Sequence, residues 1–193
     1  MIYLQKGALA PLKTVKEALD WVYASYEKNA LYFGHGTDNA WDEAVYLVCH
    51  VMELPYDSGE EILSLSVNEH QSQSISHLVH QRIDTRKPLA YLLNEAWFMG
   101  MCFYVDERVL VPRSPFAEWI ANDFSPWVNK KAICRILEIG TGSGCMAIAA
   151  ATQFPHAQVD AVDIDEQALK VAGINQKKHQ VEDRVSFFQS DVF

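Results

Sequence analysis

The sequence predicts an α/β protein in three parts: a helical N-terminal domain, a β-hairpin linker, and the first half (β-α-β-α-β) of a doubly wound, Rossmann-like sheet. Three observations predict it. Apolar residues in the first 90 positions recur at helical spacing. Residues 90–111 alternate instead and are rich in aromatic and β-branched side chains. From Ala132 onward, short apolar runs alternate with helical stretches, and a glycine turn joins the first such pair. The expected boundaries are residues 1–88, 89–113 and 114–193.

In the first part, Thr14-Val15-Lys16-Glu17 fits a capping box, and Val15, Leu19, Val22, Tyr23 and Tyr26 form one face of the helix that follows. Gly34 and Gly36 break the chain. A second helix starts near Asp38 or Asn39, carries Ala44, Val45, Leu47, Val48 and Val51 inward, and ends by Pro55. A short helix begins at Ser58, with Glu60 and Glu61 where the helix dipole favours acids. A fourth helix runs from Asn68 to Arg86 on a stripe of Ile75, Leu78, Val79 and Ile83, with Gln71–Ser76 as its wet face and Pro88 beyond its end. In the second part, Tyr91–Leu93, Ala96–Phe98 and Cys102–Val105 read as extended segments, separated by turns at Asn94-Glu95 and Met99-Gly100-Met101, with Trp97 and Phe98 in the hairpin core. A helix after Pro115 presents Phe116, Trp119 and Ile120 as its apolar face. In the third part, Ile133–Ile139 is a buried strand, Cys145–Ala151 a helix of small residues suited to close packing, Gln158–Asp163 a strand, Asp165–His179 a helix, and Val185–Gln189 a strand ending at Ser190-Asp191.

The 193 residues carry 16 Lys+Arg against 25 Asp+Glu, a net charge of −9. Residues 1–90 hold 7 basic and 12 acidic side chains, residues 91–131 hold 4 and 5, and residues 132–193 hold 5 and 8, so no segment is a basic tail. This disfavours direct nucleic-acid binding, which needs clustered cations to neutralise phosphates. No run of about 18 apolar residues is present, so no membrane-spanning helix and no membrane partner are expected. Met1–Lys6 lacks the pattern of a secretory leader, and the expected location is cytoplasmic. Cys49, Cys102, Cys134 and Cys145 form no metal-binding spacing and read as free thiols, and His77 and His80 read as solvated or capping rather than as metal ligands.

The chemistry sits in Gly140-Thr141-Gly142-Ser143-Gly144, between a strand and a helix. Glycines there permit positive φ and let a ligand approach the backbone. Asp163 ends the next strand, 23 residues after Gly140, near the spacing at which a carboxylate grips ribose hydroxyls. A ligand-free tight turn would leave this combination without a purpose. The dinucleotide pattern G-x-G-x-x-G/A fails at Cys145, and Glu138 would repel a pyrophosphate. A cationic ligand, carrying an ammonium and a sulfonium, would tolerate or prefer that acid.

Ile136-Leu-Glu-Ile-Gly-Thr-Gly-Ser-Gly144 resembles motif I of the class I S-adenosylmethionine-dependent methyltransferases. The segments from Pro88 through Arg113 look like the linker of the HemK-like protein (glutamine-N5) methyltransferases, in which a helical domain, a hairpin linker and a methyltransferase domain follow in this order. Pro112-Arg113 continues as Ser114-Pro115 instead of the release-factor branch's Pro-x-Thr-Glu. That departure and Leu31-Tyr-Phe-Gly-His-Gly-Thr-Asp-Asn-Ala-Trp-Asp-Glu-Ala44 look like the branch that methylates large-subunit ribosomal protein uL3.

The resemblance implies S-adenosyl-L-methionine as cofactor, held by Glu138, Gly140, Thr141, Gly142, Gly144, Asp163, Ile164 and Asp191. Asp163 would take the ribose and Asp191 the adenine amino group, unless Asp191 is a plain strand-end cap. Arg113 would line the acceptor mouth or brace the linker through a salt bridge. The helical domain would recognise the substrate or cap the catalytic part. The implied reaction is methylation of a glutamine amide nitrogen in uL3, before or during ribosome assembly. The family orients that weakly nucleophilic amide with an Asn-Pro-Pro-Tyr segment, and positioning of this kind contributes several kcal/mol. The sequence contains no such segment and supplies three strands of a fold with about six or seven. No residue of the chain is therefore assigned a catalytic role, and the acceptor motif is expected beyond Phe193. The expectation is a C-terminally truncated fragment that transfers no methyl group by itself. The alternatives are a release-factor glutamine methyltransferase, an adenine-N6 nucleic-acid methyltransferase, and a non-catalytic cofactor-binding fragment.

Overall fold

In a computed structural model, residues 12–192 are described. The reading of Met1–Lys6 and the expectation attached to Phe193, that the acceptor motif follows it, lie outside the described residues. The chain divides into two compact units, Met1–Leu89 and Ala90–Phe193, so the segment read as a linker falls almost wholly within the second.

In the first unit, helix α1 (Val15–Lys28) starts at Thr14, whose hydroxyl accepts from the Glu17 N–H at 3.2 Å. The expected capping box closes on one side only. The Glu17 carboxylate accepts from the Lys13 N–H, one residue outside the cap. Val15, Ala18, Leu19, Val22 and Tyr26 are buried. Tyr23 is instead exposed at the rim, edge-on to Trp41. Helix α2 (Ala40–Met52) is capped by Asn39 and buries Ala40, Glu43, Ala44, Leu47, Val48 and Cys49. Val45 and Val51 are only half-buried. The helix ends at Glu53 in the left-handed region, two residues before Pro55. The expected helix from Ser58 is a 3₁₀ turn over Glu60–Ser64. Helix α3 (Glu69–Thr85) carries a complete capping box between Asn68 and Gln71.

The stripe that α3 buries is Ser72, Ile75, Val79 and Arg82, not the purely apolar set read from the sequence. Leu78 and Ile83 are half-buried. Ser72, expected on the wet face, accepts from the Leu12 N–H at 3.1 Å. Arg82 Nε donates to Glu43 Oε1 at 2.7 Å, with side-chain exposures of 3% and 5%. A second guanidinium nitrogen donates to the Tyr32 carbonyl at 2.8 Å, and the Thr37 hydroxyl donates to the other Glu43 oxygen. The Tyr26 hydroxyl lies buried beside this pair without a hydrogen-bond partner. Burial pushes its phenol well above the ordinary range, with the Glu43 charge adding and Arg82 opposing.

Where the second unit begins, Tyr91–Leu93, read as extended, belong instead to helix α4 (Leu89–Leu93). Leu and Ala are strong helix formers, and Pro88 sits just before the first turn, where its missing N–H costs nothing. The hairpin pairs β1 (Ala96–Phe98) with β2 (Met101–Phe103). Met99 and Gly100 both have φ > 0, as a two-residue primed turn requires. Phe98 and Phe103 are buried, but Trp97 is 45% exposed, because successive strand residues face opposite sides.

Strands β3 (Arg135–Ile139), β4 (Gln158–Asp163) and β5 (Val185–Gln189) form a parallel sheet in the order β3-β4-β5. A short helix, α5 (Phe116–Ala121), precedes the sheet, and helices α6 (Cys145–Gln153) and α7 (Glu166–Lys178) connect its strands. The small side chains of α6 bring it close to the sheet, where Ala147, Ile148 and Ala151 pack with Val159, Ala161 and Val185. β3 departs from the expected buried strand. Leu137 and Ile139 are 64% and 57% exposed, since they share with Phe188 the sheet face turned away from that core. Helix α5 buries Ile120, while Phe116 and Trp119 are exposed, contrary to expectation. The expected apolar face is one residue wide on a helix this short. No described helix is long and apolar enough to cross a membrane.

Candidate functional site

β3 and β4 run parallel in register, Ile139 beside Val162, so their C-terminal ends lie together. The glycine turn leaves β3 there. The Gly140 and Thr141 N–H groups both donate to the Val162 carbonyl, at 2.8 and 3.0 Å. The Gly142 N–H donates to Asp163 Oδ2 at 2.8 Å, and the Gly144 N–H to the Thr141 carbonyl at 2.9 Å. Gly140, Gly142 and Gly144 all have φ between 54° and 79°.

The glycines divide by what a side chain would meet. A Cβ at Gly140 or Gly142 would enter open space. A Cβ at Gly144 would lie 2.9 Å from Phe187 and 3.2 Å from Ala172. Gly144 therefore serves helix–sheet packing, while Gly140 and Gly142 keep one side of the turn clear. Gly144→Ala is expected to destabilise the fold by about 1–3 kcal/mol, read as a lower urea midpoint at unchanged m-value. An unchanged midpoint would contradict that assignment.

Two carboxylates face the turn. Glu138 Oε2 accepts from the Thr141 hydroxyl at 2.7 Å, while Oε1 is buried without a hydrogen-bond partner. Burial raises the Glu138 carboxyl to about 7; the Asp163 charge adds to this, and the Thr141 hydroxyl and Ala147 N–H oppose it. Asp163 accepts from the Gly142 and Asp165 N–H groups. Below pH 4.5 Glu138 is protonated in both the folded and unfolded chain. Between 4.5 and about 7 only the unfolded chain releases the proton, so stability falls as pH rises through that window. Glu138→Gln is expected to flatten this slope and to raise stability at pH 8 by roughly 2–3 kcal/mol. Urea unfolding at pH 5 and pH 8 checks it, and equal pH slopes in the two proteins would contradict it.

Of the other residues read from the sequence, Ile164 is 68% exposed immediately after Asp163. Asp191 is exposed just past β5, whose Gln189 pairs with Asp163. Arg113 is exposed, and its charge acts on the Tyr91 phenol. Cys145 opens α6 and is buried, which pushes its thiol up to about 11. His80 Nδ1 lies 2.7 Å from the Ser76 carbonyl one helical turn back, and its ring lies near Trp21. Sequence reasoning missed Asn175, a fully buried α7 side chain bonded to the Ser143 carbonyl within the turn. The available signal was its spacing, four and seven residues after the buried Val171 and Ala168.

The family model described as "Ribosomal protein L11 methyltransferase (PrmA)" matches residues 124–192. The "Ribosomal protein uL3 glutamine methyltransferase" of Francisella tularensis is 42% identical over 190 residues, 98% of this chain and 60% of that protein. Its counterpart in Burkholderia pseudomallei is 41% identical over 184 residues, 95% of this chain and 60% of that protein. Among solved structures, the N-terminal domain of human METTL16 in complex with SAH overlaps 75% of this chain and 54% of its own, at 15% identity and a TM-score of 0.40. The chain thus resembles the ribosomal protein uL3 glutamine methyltransferases along nearly all its length, and spans about 60% of theirs.

Proposed function

We propose that this chain carries the cofactor-binding portion of an S-adenosylmethionine-dependent enzyme that methylates a glutamine side-chain amide in ribosomal protein uL3. The observation that carries the cofactor reading is the state of the turn. The N–H groups of Gly140, Thr141, Gly142 and Gly144 are all engaged within the protein, and the ionisable side chains at it are acids. A phosphate cradle needs the reverse, free N–H groups and no carboxylate.

The residues fit the cofactor. Glu138 Oε1 is an orphaned buried acceptor suited to an ammonium, and burying such an atom unpaired is costly. Gly140 and Gly142 leave the space a ligand backbone would fill. Asp163 has lone pairs left after its two N–H partners to accept from ribose hydroxyls. Ile164 offers an exposed apolar surface beside it for the adenine, and Asp191 an acceptor for its amino group. The bound cofactor would supply an electrophilic methyl group on a sulfonium. The chain's own part is to hold its ammonium and ribose ends in one orientation.

The uL3 acceptor rests on the similarity to the two named relatives. Mass spectrometry of uL3 from cells with and without the gene tests it. The expected result is one glutamine that loses a methyl group on deletion; a uL3 unchanged by deletion would overturn the acceptor.

A further inference from the structure

Asn175 is 0% exposed, and its side chain makes three hydrogen bonds, none of them within its own helix. Its side-chain oxygen accepts from the Tyr104 N–H at 2.7 Å. Its Nδ2 donates to the Tyr104 carbonyl and to the Ser143 carbonyl, both at 2.9 Å. Tyr104 directly follows β2, and Ser143 stands between Gly142 and Gly144 and is itself buried. One acceptor and two donors on a short side chain is a combination only asparagine offers. An ionised aspartate has no donor, leucine has neither, and glutamine is one methylene too long.

The turn needs such an anchor. Three glycines in five residues give the backbone more freedom than any other stretch of this chain. Its first half is tied to the end of β4 through Val162 and Asp163. In its second half, the Gly144 N–H bonds back to Thr141 within the turn itself. The bond from Asn175 to Ser143 ties that second half to other elements. The far end of the bridge is also rigid. The Tyr104 hydroxyl donates to Asp106, which Arg108 grips through a forked pair, and this hydrogen bonding holds the Asp106 carboxyl down at about 2.

We propose that Asn175 is a positioning residue: by clamping the Ser143 carbonyl to the segment leaving the hairpin, it fixes the geometry in which the glycine turn receives the cofactor. The proposal rests on the reading of that turn as the cofactor site. It predicts that the loss of this amide loosens the turn specifically, beyond any general loss of stability.

The test compares Asn175→Ala with Val171→Ala, which opens the buried cluster one turn earlier on the same helix. Asn175→Asp is a second variant of nearly unchanged shape that lacks both donors. Hydrogen exchange is read at the amides of residues 142–145, and the affinity for S-adenosylhomocysteine is read by calorimetry. Both Asn175 variants should exchange faster at the turn and bind about tenfold more weakly, while Val171→Ala loses stability and leaves both readouts within about twofold. If the turn exchanges alike in the Asn175 and Val171 variants, the clamp is refuted. If the unaltered protein binds no S-adenosylhomocysteine, the cofactor reading fails, and the exchange data still decide the clamp.

Discussion

Arg82→Leu is expected to cost the helical unit about 3–5 kcal/mol, the largest stability effect of any single substitution considered. The substitution leaves the Glu43 carboxylate buried at 5% exposure with only the Thr37 hydroxyl, and strips the Tyr32 carbonyl of its donor. Domains of this kind have about 5–15 kcal/mol in total, so the loss is a large fraction of it. The pair itself is not the source of the stability. Taking two charges out of water offsets most of their attraction, and the damage comes from stranding one of them. The double variant Glu43→Gln/Arg82→Leu should therefore recover more than half of the loss. Urea unfolding of both single variants and the double closes the cycle. A double variant as unstable as Arg82→Leu alone would show that the contact geometry, not the stranded charge, dominates.

The largest effect on binding is expected from Gly142→Asp. The backbone there has φ 54°, a region aspartate tolerates better than most residues, and the new side chain enters open space. The fold should survive, with a stability change of about 1 kcal/mol. Cofactor affinity should disappear, because the side chain fills the space kept clear by the glycine and brings a third carboxylate beside Glu138 and Asp163. Calorimetric titration of S-adenosylmethionine against both proteins checks this, with the unaltered affinity in Gly142→Asp as the contrary outcome. The contrast with Gly144→Ala separates the two kinds of glycine: one variant loses ligand and keeps stability, the other the reverse.

What the sequence made legible follows from how each signal is encoded. The β3-turn-α6-β4-α7-β5 order was readable because its signals are local: an apolar run, a glycine turn, small residues on a helix, a strand-end acid. Glu138 and Asp163 were readable for the same reason, since one stands a residue before the end of β3 and the other ends β4, both beside the turn. The misreadings share a different cause. Ser72, Arg82 and Asn175 sit on buried stripes at helical spacing, yet a stripe defined by hydrophobicity steps over polar residues. Their burial is made tolerable by partners far along the chain, Glu43 for Arg82 and Tyr104 and Ser143 for Asn175. The opposite error appears at Trp97, Phe116, Trp119, Leu137 and Ile139, all apolar and all exposed. Residue type predicts burial only where another layer covers the face on which the residue stands. The split between Gly140 and Gly142 on one side and Gly144 on the other was likewise invisible, because it depends on where Phe187 and Ala172 come to lie.

The central claim is that the glycine turn and its two carboxylates form a site for a cationic cofactor. Calorimetric titration of the protein with S-adenosylmethionine at pH 6, in two buffers of different ionisation enthalpy, tests it most directly. An ammonium paired with Glu138 favours the ionised carboxylate, so binding should release a proton from a group that otherwise titrates at about 7. The predicted result is saturable binding whose heat differs between the buffers at pH 6, a difference that vanishes in Glu138→Gln, with no binding of NADH. Binding of NADH in place of S-adenosylmethionine, or S-adenosylmethionine binding with no proton release, would contradict it.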